Sequence, residues 1–336
     1  MRHRYAEMVE LGGPRGGRVR ARFRQNARRG RRTPMSQGPI TPGRPYSWAY
    51  VPLRWLLLGL ARLPLPLLYG LADGIYFLLA YVVRYRWRVV QENLRNSFPE
   101  KSEAELQQIG KAFYRHLSQV IVEILKLPAL SVAELKRRIV LHNPEVADRH
   151  FAAGRTVLGL ASHAGNWEWV LAAGPLWLAA PVDGVYKPLS NPFFEDFMRY
   201  VRSRTGAGLV PMSSVLREMV AHRGEAHLLS LVSDQAAGPE DRPHWMQFLN
   251  QDSGFYTSAD RLAARFHCAV LYVTIRRRRR GYYDFTFTEL YDGESPLPAD
   301  GFPIIEAFTR HLEKDIKAAP EQYLWTHRRW KHQRNG

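Results

Sequence analysis

The sequence predicts an α/β fold: a mixed sheet flanked by helices, with an apolar helical region ahead of it. Three observations carry this. From Thr156 onward, β-type runs at 156–161, 182–186, 208–211, 227–232, 269–275 and 282–290 alternate with helix-type runs at 192–204, 213–222, 257–266 and 302–318. Such alternation is the pattern of a sheet with helices on its faces. The last two β-type runs are joined by Arg276 to Gly281, a hairpin connection. Before the alternation, residues 48–83 are two apolar stretches interrupted by Arg62, Pro64 and Pro66. No internal repeat, glycine-rich dinucleotide loop or P-loop is present.

A chain of 336 residues with 46% hydrophobic content can bury a sizeable core in one large domain or two. Its one cysteine, Cys268, excludes a disulfide framework and a cysteine-based zinc site. The formal net charge is +17, and eleven of the arginines fall within residues 1–34. The rest of the chain is still basic, which suits anionic lipid or an acidic partner. Nucleic acid is not expected, because no zinc-finger spacing or aromatic RNA motif accompanies the charge.

Residues 1–45, rich in Arg, Gly and Pro, read as a disordered basic arm or as an over-called start ahead of Met35. Residues 46–88 read as a membrane-anchoring helical segment. Leu67 to Val83 contains only Asp73 as a charge, near the shortest length that spans a bilayer. Trp48, Tyr50, Trp55, Tyr81, Tyr85 and Trp87 flank the apolar runs as interfacial aromatics do. Arg84, Arg86 and Arg88 follow at once, which favours the cytoplasm for what comes next. Whether the segment spans or lies in the interface is open. Residues 84–127 read as helices, one starting at Ser102-Glu103-Ala104-Glu105 with apolar positions at helical period from Leu106 to Ile124. A short helix and the strand Ile139-Val140-Leu141 follow.

The first β-type run of the alternation leads into Ser162-His163-Ala164-Gly165-Asn166-Trp167-Glu168. On one helix, residues five apart point about 140° from each other. His163 and Glu168 therefore meet only if the backbone turns between them. Gly165 permits a turn, Asn166 is a good N-cap, and Glu168 then falls in the first helical turn. A neutral imidazole there can accept a proton from an alcohol while a carboxylate fixes its tautomer. The bland alternative is a surface His beside a helix whose first-turn Glu complements the macrodipole. In open α/β sheets, sites form beyond the carboxyl ends of strands, where His163 falls.

Other segments have two readings each. Ser233-Asp234-Gln235 ends another strand, and Asp234 either orients a donor or makes an ordinary turn. Arg199, Arg202 and Arg204 end a helix, where they bind an anion or complement the dipole. Arg276 to Arg280 are a solvated hairpin tip or a contact for an acidic carrier or lipid phosphate. Tyr323-Leu324-Trp325 reads as a last strand, and Arg328, Arg329 and Lys331 suit anionic headgroups.

These segments together resemble the lipid A biosynthesis (lauroyl/myristoyl) acyltransferases of the lysophospholipid acyltransferase superfamily. The resemblance runs from about Arg84 to Lys331. It is carried by Val90-Gln91-Glu92-Asn93-Leu94 to Phe98-Pro99-Glu100, His163 to Glu168, Tyr186-Lys187-Pro188 to Asn191-Pro192, Arg202 to Gly206, Asp234-Gln235, Phe248 to Thr257, and Pro320 to Lys331. It implies one acyltransferase domain, 89–333, behind a membrane anchor at the cytoplasmic face of a bacterial inner membrane. It implies acyl transfer from acyl carrier protein to a hydroxyl of an anionic glycolipid, a lipid A precursor, with no cofactor and no metal. It makes His163 the catalytic base and Glu168 its partner. Arg202 or Arg204, with Asn166, Asp234 and Gln235, would bind substrate or the oxyanion. The segment Phe248-Leu249-Asn250-Gln251-Asp252 departs from the commonest family form, which leaves acyl length and acceptor open.

Two alternatives stand beside this reading. One is acyl transfer to another lipid, such as a lysophospholipid or an amino lipid. The other is a non-catalytic basic protein that binds membrane surfaces. A metal hydrolase is disfavoured because His163 has no second His at ligand spacing.

Overall fold

The computed structural model describes residues 48–298, 300–332 and 334. The expected basic arm at 1–45 lies outside the described residues.

The chain enters through two short helices. Helix α1 (Val51–Arg62) has Pro52 in its first turn, where no intrahelical N–H is needed, and it stops ahead of Pro64. Helix α2 (Leu65–Phe77) starts the same way at Pro66 and continues as one π-turn, Leu78–Val82. Leu65, Leu68, Tyr69 and Ala72 are buried with Val122 of a later helix. The outward side carries Leu67, Leu71, Phe77, Leu78, Tyr81 and Val82, all exposed. The whole stretch Leu65–Val82 is 18 residues long and only 22% buried.

Helix α3 (Trp87–Ser97) and helix α4 (Glu103–Lys126) follow. Helix α4 begins with a capping box in which Ser102 and Glu105 satisfy each other's backbone N–H groups. Helix α5 (Val132–Arg138) leads into strand β1 (Ile139–Leu141), and helix α6 (Glu145–Ala152) precedes strand β2 (Val157–Ala161). Then come helix α7 (Trp167–Trp177), strand β3 (Val182–Tyr186), helix α8 (Pro192–Ser203), strand β4 (Gly208–Pro211), helix α9 (Val215–Ala221) and strand β5 (Leu228–Val232). The chain continues with strand β6 (His244–Phe248), strand β7 (Gln251–Phe255), helix α10 (Ser258–Phe266), strand β8 (Ala269–Arg279), strand β9 (Tyr282–Tyr291) and helix α11 (Pro303–Ala318).

Seven strands form one sheet in the order β1-β9-β8-β2-β5-β3-β4. Strand β2 is central, parallel to β8 on one side and β5 on the other, while β8 and β9 are antiparallel. The predicted mixed sheet flanked by helices is therefore present. All five residues of β2 are buried, as a continuous apolar strand covered on both faces requires. Phe113, Tyr272, Phe308 and Trp325 belong to one apolar layer, and Phe151, Trp169 and Tyr283 belong to another.

Three local expectations are corrected or extended. Strands β6 and β7 form a separate antiparallel hairpin. Its two connecting residues, Leu249 and Asn250, both have positive φ, the geometry of a tight hairpin turn usually supplied by Asn-Gly. The expected last strand at Tyr323-Leu324-Trp325 is instead a 3-10 turn, Pro320–Gln322, and one bridge from Tyr323 to Ala164. Its backbone pairs with the turn beyond β2, not with a sheet edge. Arg329, expected at a headgroup surface, is buried at 2% exposure with its guanidinium 4.2 Å from the Phe255 ring centre.

Candidate active site

The turn after β2 takes the predicted strand–turn–helix form. Gly165 has φ +61°, and a Cβ there would lie 2.7 Å from Ile275 Cγ2, so both conformation and space demand glycine. The Asn166 side chain caps α7 by accepting the Trp169 N–H at 3.0 Å. Three other elements hold the turn. Gly165 N–H donates to the Gln322 carbonyl at 3.1 Å. Gly165 carbonyl meets His116 Nε2 at 3.3 Å. Asn166 Nδ2 donates to Glu123 Oε2 at 2.8 Å.

Strand register explains the partner of His163. Ala161 of β2 sits opposite Val232 of β5, and Ser233 N–H continues the ladder to the Ala161 carbonyl. Two residues further on, His163 and Asp234 come side by side. Their Nδ1 and Oδ1 are 2.8 Å apart, and His163 backbone N–H donates to Asp234 Oδ2 at 3.0 Å. The buried Tyr323 hydroxyl lies close enough to feel this carboxylate's charge. Asp234 is 3% exposed and the His163 side chain 16%.

The charges of the pair follow. Burial alone pushes the His163 pKa down, but the Asp234 charge and hydrogen bond, helped by the Glu168 charge, outweigh it and hold it above the ordinary value. Burial pushes the Asp234 carboxyl up, and the imidazole with the hydrogen bonds it receives brings it below the ordinary value. Asp234 is thus an acceptor that places the proton on Nδ1 and leaves Nε2 with a lone pair. Gln235 Nε2 lies 3.5 Å from that nitrogen, at the exposed side.

The expected contact of Glu168 with the imidazole is not made: Asp234 holds that place. Glu168 stands in the first turn of α7 and points to α8, where Arg202 forks onto it through Nε at 2.8 Å and Nη2 at 2.6 Å. Both side chains are largely buried, so this is a strong bidentate pair. It adjoins the imidazole closely enough for both charges to act on it. The alternatives for the arginines separate here. Arg204 donates through Nε to the Pro128 carbonyl at 2.8 Å and does not join the group around His163. Asn166 is fully buried and has both ends of its amide engaged inside the protein, so the expected substrate contact is replaced by a scaffold role.

Glu123 escapes sequence reasoning. It is fully buried and receives Tyr69 hydroxyl at 2.9 Å, Tyr283 hydroxyl at 2.7 Å and the Asn166 amide. Trp169 Nε1 donates to its backbone carbonyl at 2.7 Å. Burial raises its pKa. Its signal was an acid inside the apolar run Val120-Ile121-Val122-Glu123-Ile124-Leu125. The segment Gln91-Glu92-Asn93 acquires a use as well, because Asn93 Nδ2 donates to the carbonyls of Trp325 and His327 and ties the chain after Pro320 to α3. Among the described residues, no group of three or more His, Cys, Asp and Glu side chains is placed to hold a metal.

The chain matches, over residues 41–332, the family described as bacterial lipid A biosynthesis acyltransferase. It is 25% identical over 289 residues to the lipid A biosynthesis lauroyltransferase of Escherichia coli (strain K12), covering 85% of this chain and 91% of that protein. It is 24% identical over 285 residues to the lipid A biosynthesis palmitoleoyltransferase of the same strain, covering 83% and 91%. It is 21% identical over 292 residues to the lipid A biosynthesis acyltransferase of Haemophilus influenzae, covering 83% and 89%.

Proposed function

The chain belongs to the bacterial lipid A biosynthesis acyltransferase family, and on that premise we propose that it moves a fatty acyl group from acyl carrier protein to a hydroxyl of a lipid A precursor, with His163 as general base. The observation that carries this is the His163–Asp234 pair on the turn beyond the central strand. Asp234 holds the imidazole so that Nε2 accepts the hydroxyl proton as the oxygen attacks the thioester carbonyl. The C–S bond then breaks, and the imidazolium returns its proton to the departing thiolate. Arg202, fixed by Glu168, supplies positive charge beside the developing oxyanion. Glu168 so acts through Arg202, and Gln235 borders the open side of the base.

The same reading seats the protein on a bacterial inner membrane with the sheet on the cytoplasmic side. Helix α2 packs one face on α4 and leaves the other uncovered by any described residue, which favours lying in the interface over crossing it. The arginines of the β8–β9 turn suit an acidic acyl carrier.

The test is acyl transfer by membranes carrying the full chain, with acyl-carrier-protein thioester and a lipid A precursor. His163→Ala should lower the rate at least about a hundredfold at unchanged protein level. Glu168→Ala should lower it less steeply if its work is to hold Arg202. Full activity in His163→Ala would remove the mechanism. Transfer to a different lipid by the wild type would replace the acceptor and leave the base in place.

A further inference from the structure

We propose that the cleft between α2, α4 and β8 is a phosphate site that holds the headgroup of a membrane lipid. The cleft measures about 360 Å³ and is lined by Tyr76, Lys111, Arg115, His116, Gln119 and Arg277, among others. Its charge is uneven. Lys111 and Arg115 stand one turn apart on α4, a spacing at which like charges repel. Arg277 adds a third cation from β8, and Glu321 is the one acid on the wall.

The neighbours of Arg277 show what is unusual. Arg276, Arg278 and Arg280 reach Asp315, Asp284 and Asp73 at 4.0, 2.9 and 3.9 Å. Arg277, Lys111 and Arg115 form no ion pair among the described residues. Arg277 is nevertheless positioned: Nη1 donates to His116 Nδ1 at 3.0 Å and to Gln119 Oε1 at 2.9 Å. Both acceptors are buried, at 3% and 4% exposure. Burial first, and then the Arg277 charge, push the His116 pKa down to about 3. His116 is therefore a neutral acceptor that aims the guanidinium without cancelling its charge. Three cations around an open cleft, one of them aimed by buried acceptors, are complementary to a phosphate, which brings a charge of about −1.5 to −2 and three acceptor oxygens.

Position selects a lipid phosphate over one in solution. Tyr76 belongs to α2, and the next residues, Phe77 and Leu78, are exposed apolar side chains. Arg115 lies over the Tyr76 ring at 5.0 Å. The cleft therefore opens where a bilayer held by α2 would place its headgroups. Its inner wall touches the reaction centre, because His116 Nε2 is bonded to the Gly165 carbonyl in the turn that carries His163. On the acyltransferase reading, the phosphate is one carried by the glycolipid acceptor. The existence of the site does not rest on that reading.

The experiment is binding of the full chain to neutral detergent micelles doped with phosphatidic acid or with diacylglycerol. Lys111→Gln with Arg115→Gln is compared with Arg310→Gln with Lys314→Gln, which removes the same charge from exposed positions of α11. The cleft variant should bind phosphatidic acid micelles at least about tenfold more weakly, the control should match the wild type, and all three should bind diacylglycerol micelles alike. An unaffected cleft variant, or an equal loss in the control, would overturn the site. In turnover, the cleft variant should raise KM for a phosphorylated acceptor, leave kcat unchanged, and treat the phosphatase-treated acceptor as the wild type does. A rise in KM for the carrier thioester alone would overturn the headgroup assignment. Absence of transfer by every form, with the micelle difference intact, would overturn the proposed donor and acceptor pair and keep the site.

Discussion

Around His163 the protein buries polar groups, while along Leu65–Val82 it leaves apolar ones outside. The two regions depart from the usual distribution in opposite senses, and each departure is compensated differently. Glu123, Asn166, Glu168 and Asp234 are buried, yet each is hydrogen-bonded by another part of the same chain. Desolvation there is offset internally. Leu67, Phe77, Leu78 and Val82 are exposed side by side, and no described element covers them. Their compensation has to come from outside the described residues, as a contiguous apolar surface on a folded protein implies. Buried polar groups held by internal partners make a rigid site, and an apolar face that no described residue covers makes an adhesive one.

The sharpest way to break the contrast is to remove an internal partner. Glu123→Leu strands the hydroxyls of Tyr69 and Tyr283 and the amide of Asn166. It should cost about 3–5 kcal/mol of unfolding free energy, measured by urea denaturation, and Glu123→Gln should recover most of that. Next in size is Asp234→Asn, with an expected loss of at least about a hundredfold in kcat/KM. The pH profile gives the sign. On the proposed mechanism His163 acts as a base only when neutral, so activity should fall as pH drops through its pKa. Asp234 raises that pKa, and its neutralisation should move the acidic limb to lower pH. A limb that stays in place would show that Asp234 does not set the charge of the imidazole.

On the exterior, the triple change Leu67→Ser, Leu71→Ser and Leu78→Ser should leave stability within about 1 kcal/mol. It should weaken vesicle binding at least about tenfold, since each buried leucine contributes about 1.5 kcal/mol or more. The smallest effect belongs to a site where neither departure applies. Ser102→Ala removes the α4 cap and should cost about 1 kcal/mol, seen as a lower Tm, with transfer rates unchanged.

Local features were legible in the sequence because their causes are local. Strands β3 and β4 fall on their predicted bounds, and β2, β5 and β9 differ by one residue at an end. Gly165 and Asn166 marked the turn and cap because the causes lie in the residues themselves: Gly165 has no Cβ to forbid its positive φ, and Asn166 carries its own capping amide. The partner of His163 was not legible, because it follows from which strand lies beside β2 and in what register. Spacing pointed to Glu168, whose position in the first turn of α7 was right and whose side chain instead meets Arg202 across to α8. The β6–β7 hairpin stayed hidden for a local reason, since Leu249-Asn250 is not a usual pair for two positive φ values.

The contacts made after Pro320 also set an order of events. The Gln322 carbonyl receives the Gly165 N–H, Tyr323 bridges to Ala164, and the Trp325 carbonyl is tied to Asn93. A ribosome makes these residues long after His163 and Asp234, and proteins that grow from the N-terminus fold in the order in which their parts emerge. Strands β2, β5, β8 and β9 are all made by residue 291, but the turn that carries His163 lacks one of its walls until residue 325 has been added. On the proposed mechanism, a nascent chain therefore lacks both part of its core and the completed turn until its last residues have been made.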